Sequence, residues 1–408
     1  MLYIKRIDNQ IVEITDQVIE EFEKVDVTNI DEAFDKFNEL KLTYSEEIES
    51  RLEEIFADRE DVLDGFDIKV STENRSFNEL ADMFQEKDID IPDVQRKFVW
   101  DTHKCSKLIE SILMGLPIPP LFFMDKGKNK YEVIDGLQRL TAISNFILGN
   151  NWGSITNNVQ RNRPAKLSTN VDSSIANKKF EDLTPEQQKK IKRATVTVID
   201  FRQIVPDNDR AKYLIFERIN TGSELLNAMQ IRKALAYGRL ISSLYDEANK
   251  SEVLKQLFSR QHINKDRHVE FLLGAFVTYQ ILKKQFRSDS QYQKYILNDF
   301  CEINKDSDMD HSFVEKFNEK LAILLELFGP HDIFKKVDSS GNYHGNRNNN
   351  IAEVLLATAI LENSLIDDEV LGRYETLISQ NIEKFAVNKI SEELIEERYG
   401  ICKSILES

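Results

Sequence analysis

Cysteine is scarce in this 408-residue chain: Cys105, Cys301 and Cys402 are far apart and form neither a disulfide framework nor a C-x-x-C metal clamp. Buried free thiols are expected instead. Nor is there a run of about 18 or more apolar residues, so no membrane span is expected. Met1-Leu2-Tyr3-Ile4-Lys5 leads into polar residues and not into a signal-peptide core, which points to the cytoplasm. Positive charge is short as well: 54 Lys plus Arg against 70 Asp plus Glu give a net −16. That excludes a protein that coats nucleic acid through its overall charge and confines any DNA contact to local basic patches. The six histidines stand in no ββα-metal pattern, and His262 and His268, six apart, lack the i, i+4 spacing of a helical zinc pair.

What is present is a globular composition, 41% hydrophobic, with length for two or three domains. Residues 1–60 carry 18 Asp plus Glu against 7 Lys plus Arg. The spacing of Ile11, Ile14, Val18, Ile19 and Phe22 predicts helices over 9–63, making 1–66 an acidic helical appendage. A core follows over 67–238. It is expected to hold a helix within 72–84, extended chain before Pro92, a helix over 102–114, and a hairpin of 121–124 with 131–134. A helix follows from Leu140, then an irregular insertion over 152–179. Thr184-Pro185 starts a further helix, residues 195–201 read as a strand, and Asp207-Asn208-Asp209 and Asn227 (with Gln230) cap two more helices. Residues 239–408 read as a helical bundle interrupted by a polar, mobile loop over 339–350.

The segment Tyr131-Glu132-Val133-Ile134-Asp135-Gly136-Leu137-Gln138-Arg139-Leu140-Thr141 reads as a strand, a glycine turn and the first turn of a helix. A helix N-terminus exposes unpaired N–H groups and the positive end of its dipole, a ready anion site. Arg139 adds a planar charged fork, and Gly136 permits close backbone approach. Asp135 can hold a ribose, a metal-bound water or only the helix cap, and the plainest reading is a capped strand-to-helix junction.

With Ile91-Pro92-Asp93-Val94-Gln95-Arg96-Lys97-Phe98-Val99-Trp100 before it and Phe216-Glu217-Arg218-Ile219-Asn220-Thr221-Gly222 after it, this turn resembles the N-terminal domain of GmrSD-type, modification-dependent restriction proteins, a family similar to the ParB/sulfiredoxin nucleotide-binding fold. The likeness spans roughly 70–235. Val94 stands where the family carries an aromatic, and Leu137 where it carries its first glutamine. The resemblance implies an α+β chain with a ParB/sulfiredoxin-like core, a nucleotide site at Gln95, Arg96, Asp135, Gly136, Gln138, Arg139, Thr141, Arg218 and Asn220, and catalysis by Asp135, Arg139 and Glu217. Glu217 and Asn220, three residues apart on one helical face, offer the hard oxygens that Mg²⁺ prefers. Arg96, Arg139 and Arg218 would neutralise a triphosphate, or else form an ion-pair network bracing the helices. Sulfiredoxin chemistry is set aside, since Leu137 occupies the place of its cysteine.

The expected function is therefore an NTP-binding and NTP-hydrolysing component of an anti-phage or restriction system that acts on or senses DNA. A nuclease or toxin partner or a second copy of the chain would be its protein partner. Two alternatives stand beside it: a non-catalytic DNA-sensing or partner-regulating module, and a metal-dependent DNA nickase using the same Asp and Glu. The last ranks lowest, since no second carboxylate cluster suggests a two-metal site.

Overall fold

The computed structural model describes residues 1–27, 33, 36–37, 39–44, 48, 51–52, 55–56, 67–90, 100–156, 159–205, 210–219, 226–338, 340–386 and 390–407. The chain is α+β and divides into two compact units, Met1–Glu60 with Ser243–Ile303 and Asp308–Ser408, and Asp61–Ser242 with Asn304–Ser307.

The N-terminal stretch corrects the helical expectation. Strands β1 (Leu2–Ile7), β2 (Gln10–Thr15), β3 (Glu23–Val25) and β4 (Thr43–Tyr44) form a sheet in the order β3-β1-β2-β4. The i, i+3 spacing of Ile11 and Ile14 misleads because β2 is bulged: Arg6 faces Ile11 and Lys5 faces Glu13, leaving Val12 as the extra residue. The bulge lets two positions three apart both turn inward, where Ile11 and Ile14 are buried, while Val18 is exposed. Short helical pieces do follow in this segment, around Ala33, Lys36-Phe37 and Arg51-Leu52.

The second unit is built on a five-stranded sheet, β5 (Asp67–Ser76), β6 (Ile89–Asp90), β7 (Leu121–Asp125), β8 (Tyr131–Asp135) and β11 (Thr195–Val205), in the order β5-β11-β7-β8-β6. β11 runs parallel to β7 and antiparallel to β5, and β7 and β8 make the expected hairpin. Between them lie α1 (Phe77–Gln85), α2 (Thr102–Met114), α3 (Leu137–Ile147), the hairpin β9 (Asn151–Thr156) and β10 (Val159–Pro164), and α4 (Pro185–Arg193). The expected helix within 72–84 starts later, at Phe77, with Ser76 Oγ capping Glu79 N–H, because residues 67–76 pair along the whole of β11. The insertion over 152–179 is likewise not irregular at its start: β9 and β10 pair in register, and Trp152 Nε1–H donates to Ala142 O at 3.0 Å.

One face of the sheet, with Leu121, Phe123, Val133, Val196 and Val198, packs on Phe77, Leu80, Ile109, Leu140, Phe146 and Ile191 of the helices in a single apolar cluster. Strand alternation sends Glu132 the opposite way from Val133, and there α5 (Arg210–Ile219) lies against β8. α6 (Ala228–Leu235) follows with the expected Asn227–Gln230 capping box, as α4 has Thr184–Gln187. Residues 206–209, which include the Asp207–Asp209 cap, lie outside the described residues.

The remaining elements are α7 (Arg239–Lys250), α8 (Glu252–Lys255), α9 (Arg260–Asn264), α10 (Arg267–Leu282), α11 (Gln293–Ile303), α12 (His311–Asp332), β12 (Lys336–Val337), β13 (Tyr343–His344), α13 (Asn349–Leu361), α14 (Val370–Gln380), α15 (Ile382–Phe385) and α16 (Glu392–Leu406). α10 and α13 are apolar nearly all round and buried, as the centre of a bundle requires. Around the start of the loop expected to be mobile, β12 pairs with β13, and Asp338 Oδ1 accepts from Ser340 N–H at 2.8 Å and Asn342 N–H at 2.9 Å. All three cysteines are buried. Among the described residues no helix is long and apolar enough to cross a membrane.

Candidate functional site

The turn between β8 and α3 joins the end of an inner strand to a helix with no side-chain cap. Gly136 takes the N-cap position at φ +94°, and a Cβ there would sit 2.3 Å from Leu121 Cδ2 and 3.3 Å from Arg139 Nη2. Only glycine satisfies both the backbone and the space. Leu137 is buried in the apolar cluster, so the family's first glutamine is replaced here by a core residue.

Arg139 is held from three sides. Its Nη2 donates to Asp135 Oδ2 at 2.7 Å, and its Nη1 donates to Pro120 O at 3.0 Å and to Pro119 O. The guanidinium is largely buried, at 14% exposure, whereas Asp135 is 44% exposed. The proline cluster ahead of β7 thus fixes the turn through its carbonyls, a contact that sequence spacing did not reveal. Prolines that cannot join the sheet but keep free acceptors were the available signal. Gln138 Oε1 accepts from Trp100 N–H at 3.3 Å, which ties the end of the first motif to the turn. Thr141 is half-buried on α3.

Glu217 and Arg218 lie on α5, half-buried and exposed respectively. That helix is pinned to β8 by a buried ion pair, Lys212 Nζ to Glu132 Oε1 at 3.3 Å, with side chains 2% and 9% exposed. Ala211 N–H donates to Gln203 Oε1 at 2.7 Å beside it. Glu132 precedes Asp135 by three residues on the same strand, and Glu217 lies roughly 7 to 8 Å along the helix axis from Lys212 at about 1.5 Å per residue. The second and third motifs are therefore joined through one strand. Gln95, Arg96 and Asn220 lie outside the described residues.

On the opposite face Arg75 braces the sheet: its Nη2 donates to Tyr131 Oη at 3.3 Å and to Asp200 Oδ2 at 3.4 Å, with the guanidinium 4.9 Å from the Tyr131 ring centre. Burial pushes the Asp200 carboxyl up, and Arg75 opposes that shift. Burial also pushes the Cys105 thiol up to about 12, which leaves it no thiolate at neutral pH.

The turn sets an uncapped helix N-terminus beside the Arg139 guanidinium and the Asp135 carboxylate. Among the described residues no three His, Cys, Asp or Glu side chains are grouped to hold a metal ion alone. Mg²⁺ does not need such a cage, since one or two carboxylates and the phosphates of a substrate suffice. Asp135 is partly exposed beside the turn and Glu217 half-buried on α5.

Residues 79–237 match the family described as the GmrSD restriction endonuclease, N-terminal domain, and belong to it. No curated protein matches the chain.

Proposed function

We propose, from residues 79–237 being a GmrSD-type N-terminal domain, that this segment binds a nucleoside triphosphate at the Asp135–Arg139 turn and hydrolyses it with Mg²⁺. The chain would serve a restriction or anti-phage system in this way, with turnover gating a response to foreign DNA. DNA cleavage itself belongs, in this reading, to a partner nuclease.

The observation that carries the reading is the uncapped N-terminus of α3 at Gly136. An uncapped helix N-terminus offers backbone N–H groups and the positive end of a dipole to an anion, and this supports phosphate as the ligand. Arg139, locked by Asp135 and the Pro119 and Pro120 carbonyls, is pre-set and pays no rotamer entropy when an anion arrives. Mg²⁺, when bound with the triphosphate, would offset charge on the transferring phosphoryl group. Asp135 and Glu217 would orient the water that attacks in line, Gln138 would keep the first motif against the turn, and Arg96 and Arg218 would balance phosphate charge. Gln95, Thr141 and Asn220 complete the proposed contacts.

A second reading rests on the same three bonds to Arg139. A guanidinium already satisfied by protein acceptors is a structural brace, which favours a non-catalytic switch or sensor over a hydrolase. A direct nickase is the third reading and predicts that Glu217→Ala abolishes nicking by the pure chain.

Phosphate release from ATP, GTP, CTP and UTP with Mg²⁺, with and without DNA, separates them. Turnover in the native chain that falls by about 10²- to 10³-fold in Arg139→Ala is expected, as for removal of a charge-stabilising donor. Absence of turnover, together with no nucleotide binding by calorimetry, sinks the hydrolase; binding without turnover leaves the switch.

A further inference from the structure

Four of the five residues 189–193 are cationic, Lys189, Lys190, Lys192 and Arg193, in a chain whose net charge is −16. All four are exposed, and among the described residues none makes an ion pair. They sit on α4, which is fastened by the fully buried Ile191. Gln188 Nε2 also holds it, donating to the carbonyls of Phe180, Glu181 and Leu183 at 3.1, 3.3 and 3.1 Å. The stripe Pro185, Gln188, Lys189, Lys192 and Arg193 follows i, i+3, i+4, i+7, i+8 and lines, with Ser76 and Asn78, a shallow groove of about 580 Å³.

Cations in a last helical turn are ordinarily explained by the helix dipole. That accounts for a charge or two, not for Lys189 lying i+3 and i+4 from Lys192 and Arg193, where like charges repel. The start of α1 does not explain the groove either. Phe77 N–H is spent on Ala194 O at 3.0 Å and Glu79 N–H on Ser76 Oγ at 3.2 Å, so the attraction for an anion lies in the side chains of α4. Repulsion along a rigid, solvent-facing stripe is relieved when a polyanion lies on it. Among the described residues none that lines the groove is aromatic, and the Phe180 ring, 5.7 Å from Lys192 Nζ, packs against the apolar core, which favours a duplex backbone over a stacked single strand.

We infer that the Lys189, Lys192 and Arg193 face of α4 is where the phosphate backbone of duplex DNA docks, independently of its base sequence. The inference rests on the reading that the chain acts on DNA, and it concerns a surface apart from the nucleotide turn. Lys190, on the neighbouring stripe, extends the field.

The test is binding of a fluorescent mixed-sequence DNA duplex to the full chain across a salt series, for the native protein and the triple variant Lys189→Gln/Lys192→Gln/Arg193→Gln. Each phosphate contact contributes about 0.9 to the slope of log affinity against log salt, so the slope should flatten by about 2 to 3 and low-salt affinity should fall at least ~10-fold. The single Lys192→Gln variant, expected to lower the slope by about 0.9, keeps the test readable if the triple variant folds poorly. An unchanged slope and affinity overturns the assignment, as does a native chain that binds no duplex at low salt or prefers a single strand of the same sequence. Nucleotide turnover is measured without DNA in the same samples. Its absence in the native protein counts against the hydrolase alone, and a lost salt response in the variant counts for the surface alone.

Discussion

Gly136 shows how little latitude a single residue leaves the turn. A side chain there meets two penalties, the left-handed φ of +94° and the 2.3 Å approach to Leu121 Cδ2. Strain of this kind costs about 1 to 3 kcal/mol. Gly136→Ala is therefore expected to lower the urea midpoint of the unit with no change in m-value, and to weaken nucleotide binding by disturbing Arg139. A double-mutant cycle with Leu121→Ala, whose own loss of core packing is measured in the single variant, separates the two penalties: favourable coupling between the two substitutions identifies the clash as dominant, and none identifies the backbone.

At the scale of elements, a buried ion pair helps to hold α5, beside the bond from Ala211 N–H to Gln203 Oε1. Lys212 and Glu132 are almost fully buried, and Lys126 Nζ stands 3.8 Å from the other Glu132 oxygen. Breaking a buried pair by removing one partner costs about 3 to 5 kcal/mol, a cost that Lys126 offsets in part when Lys212 is the one removed, while replacing both with apolar residues of like volume is often neutral. Lys212→Met is expected to destabilise strongly, and Lys212→Met/Glu132→Leu to recover most of the loss in chemical denaturation. A single variant with native stability would show that the pair does not hold the helix. Because α5 carries Glu217 and Arg218, the single variant should also lower turnover through misplacement of those residues, a positioning effect that activity at saturating nucleotide would read.

At the scale of the whole molecule, two units with separate apolar cores should unfold with separable sensitivities, and a buried carboxyl marks one of them. Glu353 on α13 is enclosed by α10 at Gly274, where a Cβ would lie 2.1 Å from Oε1, and both its oxygens accept from Gln293 Nε2 at 2.8 and 2.7 Å. Burial raises its pKa to about 8, opposed by Gln293 and Arg398 and aided by Glu270. A folded pKa above the unfolded 4.5 means the stabilisation is fully present below about 4.5 and is lost as pH rises through about 8. Calorimetry should show one component losing a few kcal/mol between about pH 5 and pH 9, at about 1.4 kcal/mol per pKa unit. Glu353→Gln should flatten that loss, and Lys212→Met should shift the other component. A pH-independent melt in the native chain would place the Glu353 titration outside this window. Much of the local grammar of the chain was legible: the Thr184 and Asn227 caps, the hairpin ending at Asp135 and the glycine turn each depend on residues close in sequence. Sequence alone thus determined the α+β class, the place of the turn and the family of residues 79–237. Tertiary structure alone decided that Ile11 and Ile14 belong to a bulged strand, that the Pro119 and Pro120 carbonyls grip Arg139, and that Lys212 meets Glu132 eighty residues away. Those outcomes turn on which strand pairs with which and on which charges are buried together, and no local periodicity encodes either.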